Sequence, residues 1–82
     1  MKPHDLTLVI EYKGSIDRLA NYCYGEFSDG TVCSRDGEFF IDLTREGSSL
    51  EEVIKSALQS AKNIGITVKH IQLFPDQISK TL

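Results

Sequence analysis

The spacing of apolar residues along this chain switches between a period of two and a period near 3.6. Residues 6–12, LTLVIEY, alternate and are rich in β-formers, which predicts a strand with Leu6, Leu8, Ile10 and Tyr12 on one face and Thr7, Val9 and Glu11 on the other. The segment KGS interrupts it, and Ser15 is placed to cap a helix. Ile16, Leu19, Ala20 and Cys23 then follow at i, i+3, i+4 and i+7, the apolar stripe of an amphipathic helix, with Gly25 available as a left-handed cap. Residues 30–34 and 38–44 read as two strands around the tight-turn signal RDG, since Asp-Gly accepts the positive φ of a hairpin. REGSS reads as a loop. SLEE is a capping box, with Ser49 accepting from first-turn amides and Glu52 reaching back to the cap amide. Leu50, Val53, Ile54, Ala57, Leu58, Ala61 and Ile64 form one stripe of a second helix, which Gly65 stops. A last strand, ITVKHIQLF, ends at Pro75, and residues 76–82 form a short tail.

The order β-α-β-β-α-β predicts an α+β, ferredoxin-like split βαβ fold: a four-stranded antiparallel sheet with both helices on one face. The chain has 82 residues, so it is expected to form a single domain, with its core at about 5–75. A domain of this size buries only about 60% or slightly more of its unfolded surface, which leaves little for a deep pocket.

Period-two alternation assigns the faces of that sheet. Phe39, Ile41 and Leu43 are the more apolar set of their strand and are expected under the helices, Phe39 beneath the long one. Glu38, Phe40 and Asp42 then face away, joined by Val9, Glu11, Thr31 and Cys33, with Val32 inward. In the last strand Ile66 and Val68 fit one face while Ile71 and Leu73 fit the other, so a bulge near Lys69 or His70 is expected to reconcile them. The free face would hold Val9, Phe40 and Cys33 as an apolar centre rimmed by Glu11, Glu38 and Asp42, which reads either as an ordinary solvated face with one exposed aromatic or as a protein-contact surface.

Charge narrows the partners. The formal net charge is −3, which argues against broad binding of phosphate backbones. The strand order is shared with the RNA-recognition motif, and RDGEFFIDL superficially resembles the third strand of that module. Its outward trio here is Glu38, Phe40 and Asp42, however, and two carboxylates beside the ring would repel phosphate. No apolar run approaches the roughly 20 residues of a membrane span. The first ten residues lack the pattern of a signal peptide, so a cytoplasmic location is expected. Cys23 and Cys33 are expected to be reduced, Cys23 as a small core residue. They lie ten residues apart with no Cys-x-x-Cys, and His4 and His70 are isolated, so no metal or other cofactor is expected. Asp29, Asp36, Glu38 and Asp42 cluster along a hairpin and its turns, where carboxylates are usually solvated. No Ser-His-Asp set, His-paired Cys or phosphate-binding glycine loop is present, so the chain is expected not to be an enzyme.

Residues 28–79 resemble the N-terminal domain of a group of small bacterial proteins of poorly known function. The matching segments are Asp29-Gly30-Thr31-Val32, Arg35 to Gly37, Asp42-Leu43-Thr44-Arg45-Glu46, Ser49-Leu50-Glu51-Glu52-Val53-Ile54 and Pro75-Asp76. Many members of that group carry a helix-turn-helix after the Pro-Asp. The resemblance implies a sensing, dimerising or partner-binding module standing alone, and it supplies no catalytic residues. Arg45 and Glu46 are expected to serve structure, as a pair fastening the loop between strand and helix.

The functional expectation is therefore a regulatory protein-binding module that dimerises or occupies another protein through Val9, Glu11, Cys33, Glu38, Phe40 and Asp42. Inhibitor, antitoxin and phage-encoded inhibitor of host defence are versions of that role. A small-ligand regulatory domain, an RNA-binding domain and an enzyme using the carboxylates near Asp36 are the alternatives.

Overall fold

Two tight local signals organise the middle of the chain. Asp36 and Gly37 both take positive φ, 52° and 80°, which closes a two-residue hairpin between β2, Gly30–Arg35, and β3, Glu38–Gly47. Ser49 accepts from the Glu52 amide at 3.2 Å and starts α2, Leu50–Asn63. The computed structural model describes residues 2–73; Pro75, Asp76 and the tail lie outside them. Strand β1, Lys2–Glu11, helix α1, Ile16–Cys23, and strand β4, Thr67–Leu73, complete the order β1-α1-β2-β3-α2-β4. The sheet is antiparallel throughout, in the order β2-β3-β1-β4, and the arrangement is ferredoxin-like.

Leu6, Leu8 and Ile10 of β1 and Ile41 and Leu43 of β3 meet Leu19 and Cys23 of α1 and Val53, Ala57 and Ala61 of α2 in one buried cluster. Tyr12, Val32 and Phe39 pack at its margin, as expected for that face, and Phe39 is only half-buried. It stands edge-on to Tyr12, with ring centroids 5.2 Å apart. Val9 pairs with His70 and Ile10 with Val68, so Lys69 is the extra residue of a bulge. The bulge lets Val68 and Ile71 both pack against the core, along with Ile66 and Leu73.

Several expectations need correction. Strands β1 and β3 are longer than the alternation alone predicts, because they pair from Lys2↔Gly47 to Ile10↔Phe39. Most of REGSS is therefore strand. Gly25 has no positive φ. The chain instead leaves α1 through a bond from the Phe27 amide to the Cys23 carbonyl, 2.8 Å, and one from the Gly30 amide to the Phe27 carbonyl, 3.0 Å. Ile16 and Leu58 are partly solvated, at 36% and 40% exposure, and Ala20 is exposed. Ser60 is buried in place of Leu58 on α2. The Glu52 carboxylate accepts from the Ser48 hydroxyl, so the reciprocal half of the capping box is not made. Gly65 does cap α2 as expected: its φ is 73°, its amide bonds to Lys62 O at 3.1 Å, and Ile66 N bonds to Ala61 O at 2.9 Å, a Schellman pattern.

Arg45 fastens the helix side of the sheet. It projects from β3 with only 15% of its side chain exposed. Its Nε donates to Asp29 Oδ2 at 2.7 Å and Nη2 to Asp29 Oδ1 at 3.1 Å, a bidentate pair. Nη2 also donates to the Glu26 carbonyl at 2.9 Å, and Nη1 to Ser56 and Ser60, each at 3.0 Å. The guanidinium carbon lies 5.6 Å from the centre of the buried Phe27 ring. The structural role expected of Arg45 is thus realised from within a strand, on a different loop and without Glu46.

Replacing Arg45 with Ala leaves Asp29, Ser56 and Ser60 without their donor. The expected loss of stability is about 2–4 kcal/mol, below the upper range for wholly buried pairs because Asp29 keeps partial solvent contact. Arg45→Lys, which lacks the fork, is expected to recover less than half of that loss in urea denaturation. At Gly47 an added Cβ would stand 2.6 Å from Val53 Cγ2, a stiff branched side chain against a strand end. Gly47→Ala is expected to cost about 1–3 kcal/mol. Gly25→Ala, with nothing within 4 Å of the new carbon, is expected to stay within about 0.5 kcal/mol of the parent in the same assay.

Candidate protein-contact face

The register that buries Leu6, Leu8 and Ile10 turns their neighbours in sequence to the other side of the sheet. Val9 stands between Phe40 and His70, and Glu11 lies opposite Thr67. Cys33 pairs with Phe40, Thr31 with Asp42 and Arg35 with Glu38. The residues expected on the free face, Val9, Glu11, Cys33, Glu38, Phe40 and Asp42, therefore share it.

Their accessibility differs from expectation at one position. Val9 is 0% exposed, so it fills the middle of the face without presenting a surface of its own. The apolar surface a partner could touch is half-buried Phe40, with Cys33 beside it. Thr7, which sequence reasoning did not single out, is buried at 6% and donates to Asp42 Oδ1 at 2.5 Å. The Cys33 thiol donates to Asp42 Oδ2 at 3.8 Å, so both oxygens of this carboxylate are engaged. Glu38 is paired with Lys69 at 3.1 Å, across β1 from the bulge that carries Lys69. Asp5 accepts from the Thr44 hydroxyl. A shallow hollow of about 220 Å³ lies beside Phe40, lined also by Thr7, Cys33, Arg35, Asp42 and Gln72. Gln72 enters through its pairing with Thr7, a long-range register that no local pattern reveals.

The chemistry of the face is quiet. Burial pushes the Cys33 thiol up, and the Asp42 charge and hydrogen bond push it further, against an opposing pull from Arg35. The protonated thiol is the favoured form, the reverse of what an attacking cysteine needs. Asp29 pairs with Arg45, Glu38 with Lys69 and Asp42 with Thr7 and Cys33, so each of these carboxylates has a partner of its own. Both cysteines are free, and burial also raises the pKa of Cys23. Among the described residues no group of three His, Cys, Asp or Glu side chains could hold a metal ion, and no helix is long and apolar enough to cross a membrane.

The face is acidic. Asp5, Glu11, Glu38, Asp42 and Glu46 stand against Arg35 and Lys69. Comparison with known proteins found no matching family model, no matching curated protein and no matching solved structure.

Because burial and, after it, the Asp42 carboxylate hold the proton on Cys33, alkylation of Cys33 in the folded protein is expected to be slower than that of a free thiol at the same pH. Asp42→Asn removes the charge while keeping an acceptor for Thr7. It is expected to lower the thiol pKa and speed alkylation several-fold near pH 8, read by mass spectrometry on Cys33 peptides. An unchanged rate would mean that burial alone controls the thiol.

Proposed function

We propose that this chain is a non-enzymatic protein-binding module whose sheet face engages a basic surface of another protein. The observation that carries this reading is Phe40: an aromatic ring left half-buried on a sheet face where carboxylates outnumber cations. Aromatic side chains anchor interfaces through area at little entropic cost, and a charged rim selects and steers the partner. The acidic rim favours a partner rich in Lys and Arg. It disfavours a second copy stacked face to face, since like charges would be brought together. The hollow beside Phe40, about 220 Å³, is smaller than the roughly 300–1,000 Å³ of small-molecule sites, which supports a protein contact over a metabolite. Engagement of Asp29, Glu38 and Asp42 by neighbouring side chains supports a binding role over acid–base catalysis. A basic nucleic-acid-binding site on another protein is one target whose charge this face would complement, which is how an inhibitor or regulator of this size would act.

The test is affinity capture from native lysate with the wild type, Phe40→Glu and a helix-side control, Lys55→Glu, each first checked for folding by circular dichroism. A basic protein retained by the wild type and the control is expected to be lost with Phe40→Glu and released at about 0.5 M salt, where exposed charges are screened. Equal retention by Phe40→Glu would remove the sheet face from the interaction. Light scattering of the same proteins is expected to show monomers. A wild-type dimer that Phe40→Glu dissociates would assign the face to self-association instead.

A further inference from the structure

We infer that the free edge of β2 is a second docking site, one that accepts an extended segment of a partner protein as a fifth strand. The inference rests on where the backbone groups of β2 point. The Thr44 amide donates to the Asp29 carbonyl at 3.2 Å, which makes Asp29 and Thr44 a hydrogen-bonded pair at the foot of the β2–β3 ladder. Such pairs alternate in an antiparallel ladder. Thr31, Cys33 and Arg35 therefore spend their N–H and C=O groups on β3, while Gly30, Val32 and Ser34 turn theirs outward. The Gly30 amide confirms the parity, since it leaves the sheet to bond the Phe27 carbonyl. Val32 and Ser34 each present an N–H and a C=O along the outer edge, and no described strand lies beyond β2. The repeat of paired donors and acceptors two residues apart matches an extended backbone.

The other edge of the sheet is different. There β4 carries the Lys69 bulge, a device that breaks the regular row of edge groups. Strand β2 has no bulge, proline or lysine.

A hollow of about 630 Å³ adjoins this edge on the helix side, with Phe27, Val32, Gly30, Ala20 and Tyr24 in its wall. Tyr24 is 84% exposed, so the hollow is an open notch, suited to a side chain of an incoming strand and too open to bury most of a small molecule. On the opposite face, Arg35 has no ion-pair partner among the described residues. The two features specify the occupant: an apolar residue opposite Val32, and a carboxylate three residues away, opposite Arg35, on the other side of the added strand. Period-two geometry puts residues three apart on opposite faces, as this requires.

The test uses a capped synthetic strand peptide of alternating Thr and Val, with one Glu three residues from its central Val. Amide exchange of the full chain is followed by NMR. Saturating peptide is expected to slow exchange of the Val32 and Ser34 amides about tenfold or more, leaving Thr31 and Cys33 unchanged because they already pair with β3. The same peptide N-methylated on its inward-facing amides is expected to have no effect. Ser34→Pro deletes one outward amide hydrogen without touching the β3 ladder and is expected to abolish binding. Arg35→Glu is expected to weaken binding about two- to fivefold, the share of an exposed ion pair. Failure of millimolar peptide to protect Val32 and Ser34, or shifts confined to Phe40 and Asp42, would overturn the inference. So would concentration-dependent protection of these amides without peptide, which would make a second copy the occupant.

Discussion

The guanidinium of Arg45 has five N–H groups, and each has an acceptor. Two go to the Asp29 carboxylate, one to the Glu26 carbonyl, and one each to Ser56 and Ser60. A charge held at 15% exposure is costly unless its donors are satisfied, and here the satisfaction is complete. The acceptors come from the turn after α1 and from α2, so one side chain of β3 sets how both lie against the sheet. It also sets where β2 begins. Asp29, gripped through its side chain, gives its carbonyl to Thr44, and that bond fixes the parity of every pair up to the Asp36–Gly37 turn.

The two sides of the sheet inherit different characters from this register. On the helix side the strands bury Leu6, Leu8, Ile10, Ile41 and Leu43 in the common core. On the other side Val9 and Thr7 are buried as well, Thr7 through its bond to Asp42. The sheet is therefore closed at its centre, and its interaction potential moves outward to Phe40, Cys33 and the charged rim. Lys69 contributes to that rim because the bulge adds a residue to β4, and Glu38 meets it there. The carboxylates bonded to neighbours still add their charge to the field around this face.

The fold was legible in the sequence where the signals are local. Asp36-Gly37 marks a hairpin through φ, Ser15 and Ser49 mark helix starts, and Gly65 marks a helix end. The mixed parity of Ile66, Val68, Ile71 and Leu73 implied a bulge near Lys69 or His70 before any partner strand was placed, and it lies at Lys69. What was not legible depends on residues far apart in the chain. Arg45 to Gly47 look like a loop because they are polar and end in glycine, and they become strand because residues 2–4 lie beside them. Ser60 looks like a solvent-face residue of α2, and it is buried because Arg45 needs an acceptor there. The burial of Val9 has the same origin: alternation gives a face, while exposure depends on what surrounds the residue in three dimensions. For the candidate face the composition could be read from the sequence, and the accessible part of it could not.

Strand β2 joins the two surfaces because its alternate residues serve different neighbours. Thr31, Cys33 and Arg35 bond to β3 through the backbone and present side chains to the acidic face. Gly30, Val32 and Ser34 turn their backbones to the edge, and Val32 packs its side chain on the core beside the notch. Arg35 belongs to both surfaces, lining the hollow beside Phe40 and standing at the end of the open edge. A carboxylate brought to Arg35 along the edge would remove one of the few cations from the face and deepen its negative potential. Occupation of the edge by an acidic strand would then strengthen the attraction of the face for a basic surface. By linkage, a partner on the face would favour the strand by the same factor. Six residues with a regular backbone would be enough for such a coupling, because in a strand the edge and the two faces are never more than one residue apart.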